Sequence, residues 1–141
     1  MSTRITIVMG VKDEVELLQY NIEYHLKLGI NKFYLIDNQS SDGSTEVLKQ
    51  YENHPQCEVF FSSYDGNTNN MQRLRLLAFV DPETDYLFHL DPDEFLVIQE
   101  GYSLDRLMKD NPSDCYYIKR YNTIPIKHFN TPSNKVFEIF F

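Results

Sequence analysis

The stretch Tyr86-Leu87-Phe88-His89-Leu90-Asp91-Pro92-Asp93-Glu94-Phe95-Leu96 decides how the rest of the chain is read. Five mostly apolar residues run into three carboxylates grouped around one proline. The apolar run has the character of a strand buried on both faces, as in the centre of a parallel sheet. Pro92 stops it, because proline cannot donate to a strand ladder. Proline also favours an extended backbone at Asp91. If that geometry continues, Asp91 and Asp93 point to one side and Glu94 points away or starts the next turn. Two carboxylates so placed repel each other unless a cation lies between them. Oxygen ligands of this kind suit a hard divalent ion, Mg²⁺ or Mn²⁺. Ligands of open α/β sheets bind at that edge. The plain alternative is a solvated acidic turn, since Asp and Pro are ordinary turn residues. The apolar anchors on both sides, with Phe95-Leu96-Val97-Ile98 following, favour the metal site.

Upstream, strands and helices alternate. Ile5–Gly10 is β-branched and apolar, a first buried strand. A helix from about Asp13 to Leu28 follows, with Val15, Leu18, Ile22 and Leu26 as its core stripe. Asp13 and Glu14 suit the positive end of its dipole, and Gly29 is its expected stop. Lys32–Asp37 reads as a second strand ending in a carboxylate, and Asn38–Gly43 as a turn dense in breakers and caps. Ser44–Glu52 reads as a helix with Val47, Leu48 and Tyr51 inward, ended by His54-Pro55. Glu58–Phe61 is a third strand, 65–70 a flexible polar loop, and Met71–Val80 a helix. In that helix Met71, Leu74 and Ala78 make one row with Leu77 beside them. Tyr86–Leu90 is the fourth strand.

Beyond the acidic turn, Ser103 caps a short helix carrying Leu104, Leu107 and Met108, and Asn111-Pro112 ends it. Cys115–Tyr121 reads as a fifth strand, Asn122–Asn134 as irregular, and Val136–Phe141 as a further strand. The apolar end suggests a single domain over 1–141 that is truncated at its C-terminus. The alternation implies βαβ units and a mainly parallel sheet flanked by helices.

Composition bounds the partners. The 141 residues carry a net charge of −8, which argues against a nucleic-acid backbone or an anionic membrane as main partner. An anionic phosphate is still accessible if a metal supplies local charge. Cys57 and Cys115 lack metal-ligand spacing and read as buried reduced thiols. No run approaches the length of a membrane span and the N-terminus has no signal-peptide pattern, so a soluble cytoplasmic protein is expected.

Three predicted strands lead into carboxylate loops: Asp13/Glu14, Asp37, and Asp91/Asp93/Glu94. Parallel strands bring all three to one sheet edge, an arrangement suited to a nucleotide and a metal on its diphosphate. Neither a Gly-x-Gly-x-x-Gly nor a Gly-Lys-Ser/Thr phosphate loop occurs, so metal and scattered basic groups must hold the phosphates.

These residues resemble a family 2-type glycosyltransferase with the GT-A fold, in the branch whose acidic motif reads Asp-x-Asp-Glu-Phe. The matching segments are Lys12-Asp13-Glu14 after the first strand, Tyr24-His25-Leu26-Lys27-Leu28-Gly29-Ile30, Asp37-Asn38-Gln39-Ser40-Ser41-Asp42-Gly43-Ser44, and Leu90–Leu96. Order and spacing agree over roughly the first hundred residues. The resemblance implies a Rossmann-like nucleotide-sugar-binding domain and a glycosyltransferase of hexosyltransferase type. It implies a nucleotide-sugar donor, with a UDP-sugar expected, and Mn²⁺ or Mg²⁺ as cofactor. Asp37 would contact the base or ribose, and Val11, Lys12, Asp13 and Glu14 would line the same pocket. Asp93 would be the principal metal ligand, with Asp91 on the ribose or a metal-bound water. A glycan, lipid or protein hydroxyl would be the acceptor. Asp114, His128 and Glu138 are the ionisable residues available as base, and none is assigned.

Several residues have plainer readings. Asp42 and Ser41 are helix-cap groups. Of Arg73 and Arg75, one could reach the phosphates, with Arg73 taken as the donor-site candidate. His89 reads as a satisfied core histidine, and core packing explains most of Tyr116, Tyr117 and Tyr121. A nucleotidyltransferase holding Mg²⁺ on a nucleoside triphosphate fits the same spacing. So does a binding module without turnover.

Overall fold

A computed structural model describes residues 3–63, 67–116 and 118–121. Among the described residues four strands and four helices alternate: β1 (Ile5–Val11), α1 (Val15–Leu28), β2 (Lys32–Asp37), α2 (Ser44–Lys49), β3 (Cys57–Phe61), α3 (Asn67–Val80), β4 (Tyr86–His89) and α4 (Leu104–Asp110). The sheet order is β3-β2-β1-β4 and every pairing is parallel. The expected α/β fold with a parallel sheet is therefore present.

Sheet residues alternate between two cores, as the two-residue period of a strand requires. Ile7, Met9 and Val11 of β1 and Phe33 and Leu35 of β2 pack with Leu18, Ile22, Leu48, Leu104 and Met108, so α1, α2 and α4 cover one face. Val8, Tyr34 and Ile36 turn the other way onto Met71, Leu74 and Ala78 of α3. Cα pairing runs from Thr6 opposite Lys32 to Val11 opposite Asp37, and from Ile5 opposite Tyr86 to Val8 opposite His89. The carboxyl ends of β1, β2 and β4 thus share one edge.

Gly29 ends α1 in the left-handed conformation at φ 101°, where its N–H bonds to Leu26 O and that of Ile30 to His25 O. Ser103 caps α4 by accepting from Arg106 N.

Several expectations need correction. The strands buried on both faces are β1 and β2, not β4. Among the described residues β4 pairs only with β1, so it lies at an edge and Leu87 and His89 are exposed. His89 is consequently not a core histidine; its Nδ1 meets the guanidinium of Arg75. Helix α3 begins at Asn67, inside the stretch read as a polar loop, and Leu77 is exposed. Helix α1 begins at Val15 instead of Asp13, and α2 closes at Lys49. No strand forms among the described residues of 115–121, and Cys115 and Tyr121 are exposed. Tyr116, by contrast, packs its ring edge-on to Tyr86. Cys57 is buried, and burial pushes its thiol up to about 12. The readings of Tyr117, His128, Glu138, Asn122–Asn134 and Val136–Phe141 fall outside the described residues. No helix among the described residues is long and apolar enough to cross a membrane.

Candidate functional site

The sheet order reverses at β1: β2 and β3 lie to one side of it, β4 to the other. Open α/β sheets bind ligands outside the carboxyl ends of the strands at such a reversal. Two loops flank it here, Lys12–Glu14 after β1 and the acidic turn after β4.

The first loop is stitched to the loop after β2. Asp13, at φ 53°, donates its N–H to Ser40 Oγ (3.1 Å), and its Oδ1 accepts from Ser41 N (2.6 Å) and Ser41 Oγ (3.2 Å). Glu14 N donates to Ser44 Oγ (2.8 Å) and Val15 N to Asp42 Oδ2 (2.9 Å). Asp42 is therefore a helix-cap group, as expected, whereas Ser41 caps no helix and instead donates to the Asp13 carboxylate. The Asp42 side chain also takes the Ser44 N–H (2.9 Å) at the start of α2, behind Gly43, whose φ of 108° suits glycine. Lys12 Nζ donates to Gln39 O, which holds the lysine along this seam. Val11 closes β1, fully buried, and its carbonyl accepts from Asn38 N (2.8 Å).

Asp37 is buried at the end of β2. One of its oxygens accepts from Ser40 N (3.0 Å) and the other from Thr45 Oγ1 (2.6 Å). The carboxylate thus shapes the loop that carries Asp42. Arg73 lies elsewhere: it lines an open cleft of about 780 Å³ between α3 and the ends of β2 and β3, with Ile36, Phe60, Phe61 and Asn69. Ile36 faces α3, whereas the Asp37 carboxylate is held by Thr45 of α2 and does not line that cleft.

The acidic stretch is a turn, not an extended continuation of β4. Glu94 N donates back to Asp91 O (2.9 Å), and Glu94 Oε2 accepts from Asp91 N (3.0 Å). The other Glu94 oxygen pairs with Arg120. Pro92 is buried at the turn, while Asp91 and Asp93 on either side of it are exposed. The expected alternation fails because the turn is closed by its own backbone and by Glu94. The two aspartates still share the rim with the first loop. Burial pushes the Glu14 carboxyl above its usual range, and the charges of Asp93, Asp42, Asp91 and Asp13 push it further.

Among the described residues no three His, Cys, Asp or Glu side chains are gathered as a ready-made metal cage. Magnesium-type ions commonly use one or two carboxylates and complete their shell with phosphates and water. Two exposed aspartates beside a half-buried glutamate destabilised in its charged form fit that mode.

Three residues that hold the acidic turn were not anticipated. Asn21, Tyr24 and His25 on α1 bond to the backbone of Pro92, Glu94 and Leu96. The signal was present: Asn21 and His25 stand four apart beside Leu18 and Ile22, polar residues at core-facing positions.

No protein-family model matches the chain. No curated protein matches it. Solved structures do. The chain resembles S. aureus TarS 1–349 with a TM-score of 0.53 at 13% identity, over 77% of this chain and 31% of that one. S. aureus TarS 1–349 in complex with UDP matches with a TM-score of 0.49 at 14% identity, over 64% and 28%. The chain spans about a third of the length of the TarS chain. The likeness is one of fold.

Proposed function

We propose that the chain is a nucleotide-sugar-binding glycosyltransferase domain that uses a divalent cation, with a UDP-sugar as donor. The observation that carries the reading is the gathering of the Asp13/Glu14 loop and the Asp91/Asp93 turn at the point where the sheet order reverses. The fold shared with TarS, a glycosyltransferase, supports it.

In this reading Asp93 is the principal ligand of the ion, and Asp91 holds it through water or binds the ribose. A bound Mn²⁺ or Mg²⁺ would supply electrostatic stabilisation for a departing diphosphate. Asp93 and Asp91 orient the diphosphate across the rim. Val11, Lys12, Asp13 and Glu14 line the donor pocket. Asp37 acts first as the brace of the 38–45 loop and reaches base or ribose through the lone pairs that Ser40 and Thr45 leave. Arg73 serves the donor from the cleft beside α3. The acceptor is a hydroxyl of a glycan, lipid or protein, and no described residue is assigned as its base; Asp114 is exposed and distant in sequence from the turn.

A thermal-shift panel of UDP-, GDP- and CDP-sugars, with and without Mn²⁺, tests this. Ligands that bind only the native state raise the melting temperature by mass action, about 2.7 kcal/mol at a hundredfold excess over Kd. The expected result is a Mn²⁺-dependent rise with UDP compounds. A rise only with nucleoside triphosphates would move the reading to a nucleotidyltransferase. A UDP-sugar that binds but is neither hydrolysed nor transferred would mark a binding module.

A further inference from the structure

The acidic turn is held from outside itself, by one face of α1. The Asn21 side chain is fully buried, and its amide has two hydrogens. Its Nδ2 donates to Pro92 O (2.9 Å) and to Glu94 O (2.7 Å), the carbonyls on either side of Asp93. One turn further along, His25 is also fully buried. Its Nε2 lies 3.1 Å from Leu96 N, and its Nδ1 lies 2.9 Å from both Asn21 O and Asn21 Oδ1.

These bonds fix one another. A backbone N–H only donates, so His25 Nε2 must carry the lone pair and Nδ1 the proton. The carbonyls of Pro92 and Glu94 only accept, which sets the Asn21 amide with its nitrogen toward them and its oxygen toward His25, where it shares the Nδ1 proton with Asn21 O. Tyr24 adds a fourth tie, its hydroxyl donating to Leu96 O at 2.7 Å. Glu14, a residue of the other acidic loop, stands immediately before the same helix, and its carbonyl accepts from Leu17 N (3.2 Å) and Leu18 N (3.0 Å).

We propose that Asn21 and His25 are positioning residues that hold Asp93 and Asp91 at a fixed place relative to Glu14, with α1 as the rigid spacer between the two loops. The inference rests on the reading of this rim as the seat of a cation and a diphosphate. Packing alone would be served by apolar side chains at both positions, as it is at Leu18 and Ile22. A fully satisfied buried polar chain instead specifies one geometry. Support of this kind behind metal-binding carboxylates is worth about 10- to 100-fold in affinity.

The test compares two substitutions at one site. His25→Phe keeps a ring against Phe95 and loses the acceptor; His25→Gln loses the ring and keeps an acceptor for Leu96 N–H. UDP affinity is measured for each with and without Mn²⁺, well below the melting temperature, beside wild type and Asn21→Leu. Expected are a loss of about tenfold or more in Mn²⁺-dependent UDP affinity for His25→Phe and Asn21→Leu, and a smaller loss for His25→Gln. Affinity without Mn²⁺ should stay within about twofold in all of them, less than the loss expected for a metal-supporting group. If His25→Phe binds Mn²⁺ and UDP as tightly as wild type, or more tightly than His25→Gln, the positioning role is overturned and the rim reading stands. If wild type itself shows no Mn²⁺-dependent UDP binding, the rim reading fails and this inference falls with it. Should His25→Phe not fold, Tyr24→Phe decides, since it removes only a hydroxyl from the same support; unchanged affinity there overturns the inference.

Discussion

Asp42, in the loop after β2, accepts the backbone N–H of Val15 at 2.9 Å, so a carboxylate from one crossover caps the helix of another. Its second oxygen takes both the N–H (2.9 Å) and the hydroxyl (2.7 Å) of Ser44 at the head of α2. One side chain therefore closes two helix N-termini and ties the loops that flank the rim. Burial raises its carboxyl, but the bonds from Ser44 and Val15 outweigh this and hold it below the usual carboxylate range. Asp42→Ala is expected to cost about 1–2 kcal/mol, the scale of a lost cap. A folded value below the unfolded one gives stability that is present above the unfolded value and lost as pH falls through the folded one. The melting-temperature gap between wild type and Asp42→Ala should thus be widest near neutral pH and close in acid.

His25 sets a second pH dependence. Burial drives its imidazole down to about 4, against a partial rise from its bond to Asn21. In the unfolded chain it titrates near 6.5. As pH falls below about 6.5 the unfolded state takes up the proton first. Stability should therefore fall progressively between about pH 6.5 and 4, by on the order of 2–3 kcal/mol. Denaturant unfolding at pH 7, 6, 5 and 4.5 measures it, and His25→Gln should lack this part of the slope. Equal slopes in the two proteins would count against a neutral, buried His25.

Glu14 behaves in the opposite sense. Its carboxyl is raised by burial first, then by Asp93, Asp42, Asp91 and Asp13. A raised folded value means the contribution to stability is full below the unfolded value and lost as pH rises through the folded one. At neutral pH the ionised Glu14 is a burden on the fold. Glu14→Gln should raise the melting temperature at pH 7 by about 1–3 °C and leave it unchanged near pH 3.5, as scanning calorimetry would show.

How much of this was legible depended on what kind of force sets each element. β1 and β2 could be read because their runs are apolar enough to be buried whatever surrounds them, and Gly29 because only its left-handed φ ends α1 there. The first turn of α3 could not. Asn67–Asn70 has loop composition, yet Asn70 is buried and its amide donates to Asn38 Oδ1 (2.7 Å) and Ser62 Oγ (2.9 Å), which tertiary contact alone supplies. β4 was misjudged because an apolar run does not say whether a second strand covers it. The three carboxylate loops were legible, since parallel strands bring their ends together whatever the loops do. Their support was legible only as two polar residues at core-facing positions of α1: the ties from Asn21 and His25 cross about 71 residues of sequence, and periodicity does not say which partner they meet.

The last prediction separates the two aspartates of the turn. Both are exposed, on either side of the buried Pro92. Replacing either should therefore change the stability of the free protein by no more than about 0.5 kcal/mol. Asp93→Asn should also relieve Glu14, because Asp93 is the charge that raises it most. Their effects on ligand binding should differ. If Asp93 is the principal ligand, Asp93→Asn abolishes the Mn²⁺-dependent part of a UDP thermal shift. Asp91→Asn then leaves a reduced shift, because a contact through water or the ribose is lost while the direct ligand remains. Titration of Mn²⁺ against each variant at fixed UDP reads this as a rise in apparent Kd that is larger for Asp93→Asn. Equal losses would make the pair joint ligands, and a larger loss for Asp91→Asn would exchange their roles.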